Sequence, residues 1–251
     1  DVDIDASMAI KAVNRLDDWM NRTYLRIKEH GNLEANNLSS LIAQYLYCRS
    51  FFLKDRAIAP QHRVAVEYFI NQAVKKEKDG TQYFLRLSRM NQAQVAIAMN
   101  RIGKFQKKAD YNRLSKLIIA SIKERSVEDE ELGLFWRDQE HSHWWYRAPI
   151  ETQAMMIEAF HEVTQDFNAM EDAKVWLLKQ KQTQDWKTTK ATADACYALL
   201  LRGANLLASE ALVEVTVGNQ KIEPKKVEAG TGFYEHRFLG SEVKSSYGNI
   251  K

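Results

Sequence analysis

One short loop of the sequence concentrates residues that can bind metals or move protons. Positions 138–143 place His141 and His143 two residues apart, beside Asp138 and Glu140. Imidazole and carboxylate groups ligate zinc and other transition metals, but a structural zinc site needs four ligands, so others would have to come from elsewhere. Since side chains at polar loop tips are normally solvated, we predict no metal at this loop and no cofactor for the chain.

Two pairs of adjacent carboxylates could resemble an acid–base couple, Asp17-Asp18 and Glu171-Asp172. Adjacent residues on a helix point about 100° apart, so neither pair can share a proton or act as a glycosidase couple. We therefore predict that these acids face solvent or lie at helix N-termini.

Glu158 and Glu162 flank His161 in a third arrangement of titratable residues. This spacing lacks the second histidine of the helical zinc motif, which needs two histidines four residues apart. We predict no chemistry for it.

The two cysteines, Cys48 and Cys196, are far apart in the sequence and lie in apolar helical stretches. Neither has the basic surroundings that activate a thiol, so we predict two buried thiols rather than a disulfide or a nucleophile. The sequence also lacks a glycine-rich phosphate loop and a G-x-S-x-G elbow. We therefore predict that the chain is not an enzyme.

Aromatic residues cluster around the same loop, where three of the chain's six tryptophans lie within ten residues. The favoured interpretation is a hydrophobic plug that seals one end of a helical array. The other interpretation is a partner-binding surface. That possible surface comprises Trp136, His141, His143, Trp144, Trp145 and Tyr146.

Hydrophobic residues recur every three to four positions over most of the chain, which predicts amphipathic helices joined by short links. Low counts of glycine (10) and proline (3) agree with a mostly α protein. Helical hairpins of this kind could form a solenoid, a bundle or part of an α/α toroid. The predicted helices cover about 7–29, 37–53, 61–76, 82–102, 109–125, 149–165, 168–181 and 188–202.

The helical period breaks twice. Between residues 126 and 149, two aromatic runs around a polar tip predict a β-hairpin or an ordered loop. After Ser209 the period becomes two, which predicts one strand at 212–217, a turn at Gly218-Asn219 and a second strand at 233–239. About 40 residues cannot form an independent core. We expect a helical domain at 1–208 and a β segment at 209–251 that pairs with sequence elsewhere.

The composition excludes several classes of protein. Lysine and arginine number 36 against 33 acidic residues, a net charge of +3 that gives no electrostatic case for nucleic acid. No apolar run approaches the roughly 20 residues of a membrane span. The sequence starts at Asp1 without an initiator methionine or signal peptide, so we expect a piece of something longer.

The stretch from Trp176 to Leu200 resembles the last helical hairpin of the thioester domain in the alpha-2-macroglobulin and complement family. That hairpin has a polar loop with a tryptophan, a Ser/Thr-Thr-x-x-Thr run and a helix ending in Ala-Leu. The segments 149–160 and 45–52 are similar to earlier helices of the long bacterial members, of the Bacteroidetes type, and the likeness covers most of 1–205. The matching positions are Trp186, Thr188, Thr189, Thr192, Ala198 and Leu199.

The resemblance implies a terpenoid cyclase-like α/α toroid, incomplete on its N-terminal side. It also implies that the residues after Ser209 return to a β-sandwich that flanks the toroid. The function implied is that of an endopeptidase inhibitor, a protease trap at the bacterial cell envelope, in the periplasm or on the outer surface. The implied partners are proteases and other domains of the same chain.

The chain departs from the family in its thioester motif, which needs a glutamine three positions after a cysteine. Phe51 stands three positions after Cys48, and Leu199 three positions after Cys196. The motif therefore lies upstream of Asp1 or is absent. In complement relatives a loop histidine assists acyl transfer, but without a thioester we expect no such role for the histidines here.

Three functions remain open from the sequence. The first is a non-enzymatic fragment of an alpha-2-macroglobulin-like protease trap. The second is a toroid enzyme acting on polysaccharide, as a lyase or glycosidase, and the third is a purely structural or interaction domain. Fold likeness alone does not choose among them.

Overall fold

A computed structural model of the chain describes residues 7–137, 148–183, 186, 188–201, 215–217, 220–222 and 237–248. The chain divides into two compact units, residues 1–201 and 202–251. The first unit is helical and the second contains short strands, which confirms the predicted mostly α fold with a short β segment.

The helices of the first unit follow the predicted periodicity to within a few residues at most ends. The fourth differs most, because a 3₁₀ turn at Tyr83–Arg86 replaces the start predicted at Gln82. The helices are α1 (Ser7–His30), α2 (Ser40–Phe51), α3 (Pro60–Gln72), α4 (Arg89–Gln106), α5 (Ala109–Lys123), α6 (Pro149–Ala159), α7 (Phe167–Thr183) and α8 (Thr189–Leu200).

Hydroxyl side chains fix where three of these helices begin. Ser39, Ser88 and Thr188 each accept a hydrogen bond from the backbone N–H three residues later, at the starts of α2, α4 and α8. Such caps satisfy backbone donors that have no partner within the helix. Pro149 occupies the first turn of α6, where its missing N–H costs nothing.

Alternate helices pack against one another, so that the chain moves back and forth between layers. Helices α2, α4, α6 and α8 contact one another in that order, and we call them the even row. Helix α1 packs on α3, α5 on α4, and α7 on α6. This alternation is the arrangement expected of successive helical hairpins.

Helix α4 lies at the centre of the unit. Residues 93 and 95–99 are all at most 1% exposed, because α2, α5 and α6 surround this helix. A helix that is apolar on most sides has to be buried on most sides. The position of α4 therefore fixes the positions of the even-row helices beside it.

A β-hairpin follows α5, with β1 (Val127–Asp129) antiparallel to β2 (Gly133–Phe135). It joins the acidic run to the first aromatic run, whereas the β-hairpin or ordered loop predicted between the two aromatic runs spans residues outside the described part of the chain. Gly133 has φ +75°, and a Cβ there would lie 2.1 Å from the carbonyl oxygen of Asp172 in α7. The requirement for glycine thus comes from close packing of the hairpin on α7. The second aromatic run, 144–147, lies outside the described residues.

The second unit contains another antiparallel pair, β3 (Val215–Val217) and β4 (Gln220–Ile222). The partner of β3 thus begins three residues after it ends, much earlier than the strand predicted at 233–239. Residues 237–239 are not strand, and 233–236 lie outside the described residues. Phe238 packs on Tyr247, with ring centroids 4.8 Å apart.

None of the helices in the described residues is both long enough and apolar enough to cross a membrane.

Candidate functional site

A cleft of about 290 Å³ opens between the four helices of the even row. Every helix of the row contributes to its lining, so the cleft exists only because the hairpins place α2, α4, α6 and α8 side by side. We call it the four-helix cleft. Its main polar lining residues are Tyr47, Gln94, Glu151, Glu158, Lys190 and Asp194.

Glu158 forms the buried wall of the cleft and is only 3% exposed. The Tyr47 hydroxyl lies 3.0 and 2.8 Å from its two carboxylate oxygens, and Nη2 of Arg101 donates to Oε1 at 2.7 Å. A carboxylate can be buried when charged and hydrogen-bonded partners replace the water it loses. Both oxygens of Glu158 are therefore engaged within the protein.

Arg101 also holds Glu162, one helical turn further along the chain. Its Nε donates to Oε2 of Glu162 at 2.8 Å, and Nη2 contacts Oε1. Nη1 lies 3.2 Å from Oγ of Ser50, and the guanidinium lies 4.0 Å from the ring centroid of Phe51. The guanidinium thus binds two carboxylates at once. Tyr47, Arg101, Glu158 and Glu162 are called the Arg101 cluster.

The Arg101 cluster has one cation for two carboxylates, and its pKa shifts reflect this. Burial raises the pKa of Glu158, although Tyr47 and Arg101 oppose the shift. Burial also raises the pKa of Tyr47, and the charge of Glu158 adds to the effect. For Arg101, burial acts to lower the pKa, but hydrogen bonding and charge from Glu162 outweigh it, so the pKa rises. The arginine therefore stays charged and the cluster keeps an excess of acid.

The sequence interpretation missed this site, since it assigned no chemistry to Glu158 and Glu162. The two acids lie four residues apart, a spacing that places both on one face of a helix. Around them the sequence is apolar, with methionine, isoleucine, alanine and phenylalanine at positions 155–157, 159 and 160. Two carboxylates within a buried helix require a cation nearby. Their position in this apolar segment was the sequence feature that could have predicted the site.

The remaining polar groups of the cleft are less constrained. Lys190 and Asp194 pair with each other on α8, four residues apart. Glu151, at the start of α6, is half-buried and has no ion pair among the described residues. Gln94 is 6% exposed and accepts a hydrogen bond from Nδ2 of Asn91 at 2.8 Å.

Trp136 is not available to a partner, which corrects its place in the possible partner surface. It is 1% exposed, its Nε1–H donates to the carbonyl of Ile122 at 3.1 Å, and its ring stacks on Phe160. The cause is strand β2, which turns this aromatic run into the core. His141, His143, Trp144, Trp145 and Tyr146 lie outside the described residues.

Trp186 is buried between helices α7 and α8, with 7% of the residue exposed. Its Nε1–H donates to the carbonyl of Leu177 at 3.3 Å. Oγ1 of Thr188 accepts from the backbone N–H of Ala191 at 3.0 Å, and Thr192 donates its hydroxyl proton to the Thr188 carbonyl. Thr189 begins α8 and is exposed. These contacts join Trp186 to α7 and Thr188 to α8.

Asp17 and Asp18 separate in the structure, and the prediction that both face solvent is wrong for Asp17. Asp17 is 3% exposed and accepts hydrogen bonds from Nε of Arg49 at 2.8 Å and from the Tyr45 hydroxyl at 2.6 Å. Asp18 is exposed and lies 3.0 Å from Nε2 of His62. Adjacent helical residues diverge by about 100°, which directs one inward and the other outward. Asp17, Tyr45 and Arg49 are called the Arg49 cluster.

Glu171 and Asp172 are both exposed, as predicted. Cys48 and Cys196 are free thiols, as predicted, but both are exposed, so the predicted burial is wrong. Cys48 lies on the face of α2 that lines the four-helix cleft, while neighbouring Leu46 and Arg49 point into the core.

Within the described residues, no three histidine, cysteine or acidic side chains come together in a way that could hold a metal ion. The loop at 138–143 lies outside those residues. No protein-family model matches the chain, and comparisons with curated proteins and with solved structures give no match either. Function therefore has to be inferred from the residues and their geometry.

Proposed function

We propose that this chain is the helical, thioester-domain-like part of an alpha-2-macroglobulin-type protease trap at the bacterial cell envelope, and that it works without catalysis. The observation that carries the proposal is the hairpin of α7 and α8. In the segment that resembles the family, Trp186 is buried and donates a hydrogen bond to the carbonyl of Leu177 in α7, and Thr188 caps α8. The motif thus has a physical role here that a chance likeness would not need.

The arrangement of the other helices supports the same proposal. An α/α toroid consists of hairpins whose alternate helices form an inner and an outer layer. Contacts in the order α2, α4, α6, α8 provide one such layer, and α1 packing on α3 belongs to the other. The separate unit at 202–251, with its short strands, agrees with a chain that passes from helices into a β domain.

The state of the carboxylates supports a non-catalytic role. General acid–base chemistry needs a carboxyl group that can reach a substrate proton. Glu158, the most buried acid of the cleft, has both oxygens bound by Tyr47 and Arg101, and Glu162 is held by the same guanidinium. Because Arg101 occupies both acids, they support a binding surface better than an active site.

The test uses the full-length protein that contains this chain, mixed with trypsin or elastase. Residual protease activity is measured on casein and on a small chromogenic peptide. A trap encloses the protease, so casein cleavage should be lost while cleavage of the small peptide persists. The control is a protease whose active site has been blocked covalently, which should leave the migration of the full-length protein on a native gel unchanged.

Two results would contradict the proposal. One is equal cleavage of casein with and without the full-length protein. The other is turnover of a polysaccharide by the chain itself, which would favour the toroid-enzyme alternative.

A further inference from the structure

We propose that the four-helix cleft binds a lysine or arginine side chain of a peptide, together with the peptide carbonyl next to it. This recognition goes beyond the protease-trapping role and does not depend on it. The inference rests on the charge of the cleft, on one unused hydrogen-bond donor and on the size and lining of the cavity.

The first argument for a cationic ligand is the charge of the residues that line the cleft. Among the described residues, the cleft is lined by the three carboxylates Glu151, Glu158 and Asp194 and by one cation, Lys190. Lys190 pairs with Asp194, and Arg101 behind the wall is shared between Glu158 and Glu162. Glu151 is left with no cation among the described residues. A ligand that brings one positive charge would therefore complete the pairing.

Tyr197 provides an independent indication of negative potential in the cleft. Its pKa is raised by burial and then by the charges of Glu158 and Glu162, against the opposing charge of Arg101. The guanidinium therefore does not cancel the two acids at the position of this ring. A cation in the cleft would be attracted by the same field.

Gln94 supplies the unused donor. The Ser88 hydroxyl donates to Oδ1 of Asn91 at 2.7 Å, which leaves Nδ2 of Asn91 to donate to Oε1 of Gln94 at 2.8 Å. This network orients the Gln94 amide. Its Nε2 has no acceptor among the described residues, although the side chain is 94% buried and lines the cleft. Since Gln94 lines the cleft, this free N–H can donate to the carbonyl of a ligand there.

The dimensions and walls of the cleft agree with one long side chain. A volume of about 290 Å³ lies at the lower limit of small-molecule sites, so it suits one residue of a peptide rather than a sugar chain. Tyr47 and Tyr197 line the cleft with aromatic rings, and Met90 and Met155 add adaptable apolar surface. Such walls favour the aliphatic stem of lysine or arginine, and aromatic rings attract its cationic end.

The test measures binding to the full chain by calorimetry with four small probes. Nα-acetyl-lysine methylamide and Nα-acetyl-arginine methylamide carry both the cation and the carbonyl. Nα-acetyl-norleucine methylamide keeps the stem and the carbonyl without the charge, and n-pentylamine keeps the single charge and the stem without the carbonyl. We expect the first two to bind, and the norleucine and n-pentylamine probes to bind at least about tenfold more weakly, the factor that about 1.4 kcal/mol produces.

Two substitutions separate the contributions of charge and carbonyl. Glu151→Gln should weaken the lysine probe about tenfold, a typical loss when a charge-assisted contact is removed. Glu130→Gln is the matched control, because it removes the same charge from an exposed position away from the cleft and should leave affinity unchanged. Gln94→Met should weaken the lysine probe severalfold and leave the affinity for n-pentylamine unchanged.

Equal binding of the norleucine and lysine probes would overturn the proposal, and so would an unchanged affinity in Glu151→Gln. Equal binding of n-pentylamine and the lysine probe would overturn the assignment to a peptide. If Gln94→Met fails to fold because Asn91 loses its acceptor, the Glu151 variant and the probe series still decide the question. These measurements use only this chain, so their failure is distinguishable from failure of the trapping experiment.

Discussion

Helix α2 contributes to two arginine–carboxylate–tyrosine clusters of similar chemistry and different design. The Arg49 cluster pairs one arginine with one acid, and both residues are at most 3% exposed. The Arg101 cluster pairs one arginine with two acids and borders an open cleft. Tyr45 serves the first cluster and Tyr47 the second, because residues two positions apart point to different sides of α2.

The difference shows how the balance of positive and negative side chains in a cluster relates to what the cluster does. A balanced pair without access to solvent can contribute only to the fold, and removing one partner leaves an isolated buried charge. A cluster with excess acid beside a cavity retains the ability to attract a cation. We therefore assign the Arg49 cluster to stability and the Arg101 cluster, with the cleft it borders, to recognition.

The largest expected effect is on the Arg49 cluster. Asp17→Ala removes the acid bound to Arg49, whose Nη1 already has no hydrogen-bond partner among the described residues. The free energy of unfolding should fall by about 3–5 kcal/mol, the usual cost of leaving a buried charge unpaired. Urea unfolding followed by circular dichroism measures it.

The neighbouring residue provides the control for that measurement. Asp18→Ala removes an exposed acid beside His62 and should change stability by less than about 1 kcal/mol. If the two alanine variants were equally stable, the Arg49 cluster would not hold the fold.

A second prediction concerns a buried aromatic residue that belongs to neither cluster, and its stability cost can be compared with that of the Arg49 cluster. Trp186→Ala should cost about 3–5 kcal/mol, the range for truncating a buried aromatic residue, because it empties the space between α7 and α8. Thermal unfolding measures the change. An unchanged melting temperature would mean that the turn does not depend on Trp186, and would weaken the proposed likeness of this hairpin to the family.

A third prediction concerns the pH dependence of the Arg101 cluster. Because burial raises the pKa of Glu158 in the folded state, the folded protein binds this proton more tightly than the unfolded chain does. The contribution of Glu158 to stability is therefore greatest below its ordinary pKa, and it falls as pH rises through the window up to the raised value. Glutamine at position 158 has no titratable group, so the Glu158→Gln variant should lack this pH-dependent contribution to stability.

Urea unfolding of the wild type and of Glu158→Gln across the acidic range tests this sign. The stability of the wild type minus that of the variant should decrease with rising pH and then become constant. A difference that increases with pH would show that Tyr47 and Arg101 outweigh burial.

The smallest expected effect is a change in the rate at which Cys48 is alkylated. Cys48 is exposed on the wall of the cleft, and burial of its surroundings raises the pKa of its thiol. Alkylation by iodoacetamide should proceed in the folded protein and slow when Nα-acetyl-lysine methylamide is bound. Cys196 reports general changes in reactivity, because it lies outside the lining of the cleft. Equal slowing at both cysteines would indicate an effect unrelated to the cleft.

Local patterns predicted the helices, because each one has an apolar face and several have a capping hydroxyl. They also predicted the burial of Trp186, which follows from its place between two helices. The same reasoning missed the Arg101 cluster, since Arg101 lies 57 residues before Glu158 and no local pattern links them. It likewise placed Cys48 inside, because apolar neighbours in sequence do not reveal which face of α2 borders a cavity.

The most direct test of the division of roles compares two variants in two measurements. For Asp17→Asn and Glu151→Gln, the free energy of unfolding is measured by urea titration, and the affinity for Nα-acetyl-lysine methylamide by calorimetry under folded conditions. We predict that Asp17→Asn loses stability and keeps its affinity, whereas Glu151→Gln keeps stability and loses about tenfold in affinity. A loss of affinity in both variants, or in neither, would contradict the assignment of one cluster to the fold and the other to recognition.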